Sequence, residues 1–300
     1  MGKREDIELV RVLSIFGIVW YHSGVTGHEI AYGGLVVFLI LSTLLAGLSV
    51  HPEHATLLAR ARRFLVPWAF WFLVYAAWNL ALGHAALPDR GNTLASVLAG
   101  PSIHLWYMPF MFFFLIALDG IRIGLRRGLR DAHPGAALAI CAAVLATAWI
   151  LLTPWWREPS EQAGAPLAQY AHALAGACIG VFFAGMSRLR RGLGVALLAA
   201  IVLAEILAVR FPGVGVPYLV GTAIGLVIVT GLFAAHVRLR FHVVGQCTLG
   251  IYFLHPTLLA VILHFHPAQE MAVPILAFAI SAAIVMAGRR VAPRLAQFWS

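Results

Sequence analysis

The chain has 300 residues, of which 61% are hydrophobic and only 11% charged, and its formal net charge is +9. Soluble domains of this length carry roughly 25% charged residues, so the composition excludes a water-soluble globule and points to lipid as the solvent for much of the surface. The positive charge is explained by membrane orientation, shown next, and is not read as a nucleic-acid footprint.

A membrane-spanning helix needs ~20 mostly apolar residues. Ten segments qualify in chain order: 8–27, 33–50, 64–83, 105–121, 136–153, 170–186, 193–209, 217–235, 244–263 and 271–288. They are long apolar runs, not short stretches of alternating polarity, so they read as helices and not barrel strands. The expected fold is an all-α polytopic membrane helix bundle of about ten transmembrane helices, with both termini cytoplasmic and one domain over residues 1–300. With the N-terminus inside, seventeen of the 21 Lys and Arg residues fall in inner segments; only Arg90, Arg157 and Arg210 lie in outer ones, and Arg11 is in the first span. That asymmetry follows the positive-inside rule. The first apolar stretch is too long for a cleaved signal peptide.

Ionisable groups inside a bilayer are costly, which makes them functional candidates. The first span holds Arg11 and His22, eleven residues apart. At 100° per residue this is three turns plus about 20°, so both share one helix face, about 16 Å apart along the axis. Arg11 then sits toward the inner side and His22 toward the outer side. Spacing alone also fits a snorkelling Arg11 and an interfacial His22. Glu29 is seven residues beyond His22 and a candidate to orient it, with Gly24 and Gly27 expected to end the helix between them.

At the inner mouth of the third span stands Arg60-Ala-Arg62-Arg63, followed by Pro67. This cluster fits positive-inside bias and also an anion site, because arginine forks bind phosphate through charge-assisted hydrogen bonds. The outer segments 84–104 and 154–169 are rich in Pro, Gly and Trp, as suits the membrane–water boundary. The fourth span begins with His104-Leu-Trp106-Tyr107-Met-Pro109, readable as an aromatic-belt anchor or as part of a site. Asp119 and Glu205 are weaker candidates. In the ninth span, Tyr252-Phe-Leu-His255-Pro256 places a proline that cannot donate to the Tyr252 carbonyl,. A freed carbonyl in a bundle interior can line a polar cavity.

Cys141, Cys178 and Cys247 fall inside expected spans and lack metal-ligand spacing,. No metal is called for, and no nucleotide-binding loop appears. A transporter or proton-coupled carrier is the rival reading, since buried Arg and His with Pro-broken helices fit one too. No inverted repeat is evident to support it.

Taken together, the ordered motifs resemble the acyltransferase-3 family of membrane acyltransferases. Arg11 to His22 is similar to its Arg-x10-His pattern, Phe38-Leu-Ile-Leu-Ser42 to its second-span motif, and Arg60 to Pro67 to its Arg-rich third-span start. His104-Leu-Trp106-Tyr107-Met-Pro109 and Thr248-Leu-Gly-Ile-Tyr252-Phe-Leu-His255-Pro256 are similar to its later signatures. One departure is Thr43, where the family usually has Gly.

The resemblance implies an O-acetyltransferase in a bacterial inner membrane. It would move an acyl group, most often acetyl from acetyl-CoA or another acyl-CoA, to a carbohydrate or lipid-linked glycan hydroxyl. On that reading His22 is the general base, a role suited to histidine because an unperturbed imidazole titrates near ~6.5. Arg11 with Arg60, Arg62 or Arg63 holds the donor, and Trp106, Tyr107, Tyr252, His255 and Glu29 serve the acceptor. A covalent acyl-histidine route stays open beside direct transfer.

Overall fold

The computed structural model describes residues 4–48, 57–128, 133–209, 215–232, 241–266 and 270–293. Both termini lie outside the described residues, as do Lys3, Arg130, Arg210, Arg238, Arg240 and Arg294 of the charge-asymmetry argument. Every described regular element is helical. The first part of the chain forms α1 (Glu5–Ser23), α2 (His28–Ala31), α3 (Gly33–Leu48), α4 (Leu57–Ala81) and α5 (Thr93–Ala99). A 3-10 turn (Ile103–Trp106) then leads into α6 (Tyr107–Gly128), α7 (Pro134–Leu151), α8 (Thr153–Ala163) and α9 (Leu167–Met186). The remainder is α10 (Arg191–Ala208), α11 (Gly215–Thr230), α12 (His242–Gly245), α13 (Thr248–Phe265) and α14 (Ala272–Val291).

Eight helical segments among the described residues are long and apolar enough to cross a membrane, and each coincides with an expected span. The other two expected spans correspond to α1 and α11. In α1 the first turns carry Glu5, Asp6, Glu8 and Arg11, and α11 has 16 described residues before 233–240, which lie outside the description. The acids of α1 suit the positive end of a helix dipole, while Arg126 and Arg127 of α6 and Arg289 and Arg290 of α14 suit the negative end,. α1 stops at Ser23 because Gly24 adopts φ 67, a left-handed conformation that favours glycine,. The expected first span, 8–27, is therefore shorter at its C-terminal end. The segment 154–169, rich in Pro, Gly and Trp, contains α8. Pro154 at the first helical turn has no amide hydrogen to lose, so it is tolerated there,.

The chain forms two compact units, residues 1–42 with 202–300, and residues 43–201. In the first, α1 and α13 run side by side in the same direction. Glu5 accepts from the His242 amide at 3.2 Å, Arg11 reaches Thr248 at 3.3 Å, and the His22 and His255 rings meet at 5.2 Å. α14 closes on α1 through an edge-to-face pair of Phe16 and Phe278, with centroids 5.6 Å apart. α1 also crosses the first part of α3 where two glycines meet: a Cβ on Gly34 would stand 2.5 Å from the Ser14 carbonyl oxygen. Small residues let membrane helices approach this closely.

In the second unit α7 and α9 are antiparallel. Trp149 Nε1 donates to the Ala171 carbonyl at 2.8 Å near one end, and Gly185 meets Ala139 and the Gly135 carbonyl near the other. α4 and α6 are antiparallel as well, joined by Arg60–Asp119 at one end and by Tyr75 against His104, 5.0 Å between centroids, at the other. α8 packs on α7 through the Trp149–Trp156 stack at 5.3 Å and on α9 through Trp156 against His172 at 5.1 Å.

Candidate active site

The first unit brings four of the sequence candidates onto the α1–α13 pair. At one end of α1, Arg11 Nη1 donates to both Glu8 carboxylate oxygens at 3.2 and 3.1 Å, and Nη2 donates to Thr248 Oγ1 at 3.3 Å. The Thr248 hydroxyl donates onward to the Gly245 carbonyl at 2.9 Å. Gly245 lies directly beneath Glu8, where any side chain would collide with the carboxylate. The missing side chain thus makes room for the acid that orients Arg11.

Three turns along the same face stands His22. Its ring contacts those of Tyr21 and His255, each 5.2 Å away between centroids. The residue keeps accessible surface although it is enclosed by most of the surrounding protein, as in a recess, and neither ring nitrogen has a protein hydrogen-bond partner among the described residues. His255 is its opposite, fully buried at 0% exposure. His255 Nδ1 faces the Ile251 carbonyl oxygen at 3.2 Å, and the ring also engages the backbone of Tyr252. A carbonyl only accepts, so Nδ1 is the donor in this bond,. The Tyr252 carbonyl is the one Pro256 leaves without a helical donor. The histidine beside Pro256 thus occupies the backbone gap that the proline creates. Tyr252 is itself 2% exposed, with its ring 6.0 Å from that of His255. Glu29 does not join them: it sits on α2, exposed, beyond Gly24 and Gly27, and makes no hydrogen bond to His22.

The second unit contains the remaining candidates. Arg60 is buried and grips Asp119, with Nε at 3.1 Å from Oδ2 and Nη2 at 3.0 Å from the same oxygen. Arg122 approaches the other Asp119 oxygen at 3.9 Å and donates to the Ala46 carbonyl at 3.2 Å. Arg62 and Arg63 are exposed, and Arg63 lies over the Phe64 ring at 5.7 Å. Trp106 and Tyr107 are 6% and 2% exposed. Trp106 is packed among Tyr107, Phe110 and Tyr170, with centroids 5.9 to 6.2 Å away. His104 Nδ1 pairs with Ser102 Oγ at 2.9 Å.

The place of Tyr170 and the partner of Glu205, already a weaker candidate, escaped sequence reasoning. Tyr170 of α9 joins the Trp106 cluster, and its buried hydroxyl has no hydrogen-bond partner among the described residues. Nothing in its local spacing marks it. Glu205, 0% exposed, accepts from Thr222 Oγ1 at 2.7 Å, a pairing across two helices that no linear motif announces.

No individual curated protein and no solved structure matches this chain. A family model does: the acyltransferase-3 model, described as an acyltransferase domain, matches residues 4–288. That interval is nearly the whole chain and includes both polar ends of the α1–α13 pair, and on this match the chain belongs to the acyltransferase-3 family of membrane acyltransferases.

Proposed function

We propose that this acyltransferase moves an acetyl group from acetyl-CoA to a carbohydrate hydroxyl, acting over residues 1–300 as one functional domain, with His22 as general base. The observation that carries the reading is the contrast within the histidine pair. His255 is buried and tied to backbone, whereas His22 beside it keeps accessible surface, with both ring nitrogens uncommitted among the described residues. A base must reach its substrate's proton, and only His22 of the two is accessible to do so.

In this mechanism a sugar hydroxyl attacks the thioester carbonyl carbon while His22 accepts its proton. The C–S bond of the tetrahedral intermediate then breaks, and the departing thiolate takes the proton back from the imidazolium. Positioned acid–base catalysis of this kind contributes roughly 10²–10⁴-fold. Arg11, fixed by Glu8 and Thr248, supplies positive charge three turns from the base along the same helix face. Arg62 and Arg63 attract the anionic donor at the start of α4. Arg60 acts differently, because its guanidinium is committed to Asp119. Tyr252 and His255 are buried beside His22 in the first unit, so their part is to shape its surroundings; Trp106 and Tyr107, buried in the second unit, are acceptor-side candidates from the sequence motif alone. A multi-pass location in a bacterial inner membrane, with inner-facing arginines, fits a donor made in the cytoplasm.

The test is transfer of label. Purified protein in lipid nanodiscs, given radiolabelled acetyl-CoA and a panel of lipid-linked and soluble glycans, should yield labelled glycan and free CoA in equal amounts. CoA release without labelled acceptor across the panel, or no turnover at all, contradicts the carbohydrate reading.

A further inference from the structure

The arginines at the ends of α6 and α9 do more than mark an orientation. Together with the first turn of α7 they wall a pocket of about 250 Å³ within the second unit. Its walls include Arg122, Arg126, Arg188 and His133, with Gly135 and Gly185 at the closest approach of α7 and α9. Among the described residues none that lines it is acidic. Arg122 forms part of the wall although it is only 7% exposed. Its charge is partly compensated by Asp119 at 3.9 Å and by the Ala46 carbonyl, so its contribution to the cavity is to the basic character of the wall.

The α7 N-terminus sharpens the point. His133 provides no side-chain cap, and Pro134 has no amide hydrogen,. The Arg188 guanidinium lies against this turn: a Cβ on Gly135 would stand 2.6 Å from Arg188 Nη1. Arg188 has no carboxylate or carbonyl partner among the described residues. A helix N-terminus carries roughly half a positive charge, so a cation held against it is repelled unless an anion lies between them. Helix N-termini and arginine forks converging on one cavity are the recurring elements of phosphate recognition. The volume is below the ~300–1,000 Å³ of pockets that enclose a whole small molecule, so it fits a phosphate or diphosphate head with the remainder outside.

We infer that the pocket bounded by Arg122, Arg126, Arg188 and the first turn of α7 is a binding site for a phosphate-bearing group, either the nucleotide phosphates of CoA or the headgroup of an anionic phospholipid. This site is separate from His22 and does not depend on His22 being the base.

The test uses full-length protein in phosphatidylcholine nanodiscs for CoA binding, and native mass spectrometry after exposure to phosphatidylglycerol for lipid retention. Arg188→Gln and Arg126→Gln replace exposed side chains, and retained thermal unfolding would show that both fold. A charge-assisted hydrogen bond lost from such a site weakens binding about tenfold or more. A tenfold loss of CoA affinity in both variants, with pantetheine binding unchanged, supports the site and assigns it to the donor. Loss of retained phosphatidylglycerol with CoA binding intact supports it and assigns it to lipid. Wild-type affinity for both ligands in both variants overturns it. Because only binding is read, failure here leaves the acyl-transfer reading untouched, and an inactive His22 variant leaves this site untouched.

Discussion

Arg60 and Arg63 differ by one helical turn but belong to different environments. Arg60 is buried against Asp119, with side chains 11% and 10% exposed. Breaking such a pair leaves an uncompensated buried charge, at a cost of roughly 3–5 kcal/mol. Arg122 at 3.9 Å relieves part of that cost. Arg60→Ala should therefore lower the thermal unfolding temperature markedly, while Arg60→Lys, which keeps charge but loses the fork, should fall between. Arg63→Ala should leave unfolding nearly unchanged and raise the KM for acyl-CoA more than it lowers kcat. If Arg60→Ala unfolds as wild type does and only KM changes, Arg60 is a donor ligand and the ion pair is incidental. The sequence could show that an Arg cluster stands at a helix start, but not which member is engaged, because Asp119 lies 59 residues away.

At the scale of helices, the common face of Arg11 and His22 was legible from 100° per residue alone, and α13 meets both residues. The interruption at Gly24 and Gly27 was legible too, because two nearby glycines can each take a positive φ, here 67 and 84. α8 was not legible, since Pro154 and Pro159 read as breakers in a segment that a stacked tryptophan pair holds in place. The glycine contacts between helices were invisible as well, because a glycine at a crossing and one facing open space look alike in sequence. That contrast is testable. Gly34→Val thrusts a Cβ to 2.5 Å from the Ser14 carbonyl, and overpacking of this kind costs ~1–3 kcal/mol or more. Gly124→Ala meets nothing within 4 Å and, in a helix interior, should be neutral or stabilising by up to ~1 kcal/mol. Equal unfolding temperatures for the two variants would mean that α1 and α3 are not in contact at Gly34.

For the whole molecule, the ten-span expectation and the charge asymmetry are independent arguments for one topology, and within each unit the structure gathers basic helix ends together. Arg60, Arg122 and Arg188 stand at the joined ends of α4, α6, α7 and α9. Arg11 and Arg289 stand where α13 begins, Arg289 Nη1 donating to the Gln246 carbonyl at 2.6 Å. In a background lacking Cys141, Cys178 and Cys247, single cysteines at Asn92 and Ser160 should label from outside intact cells, and one at Arg190 should not. The reverse pattern would invert the orientation.

The account rests most heavily on His22, and one comparison tests it: single-turnover acetyl transfer by wild type and His22→Gln, with CoA binding measured on the same preparations. Glutamine keeps a polar group of similar size but cannot accept a proton near neutral pH. The expected result is CoA affinity within about twofold of wild type and a transfer rate lowered by roughly 10²-fold or more. If His22→Gln binds CoA normally and retains more than about a tenth of the wild-type rate, a general-base contribution of that size cannot stand.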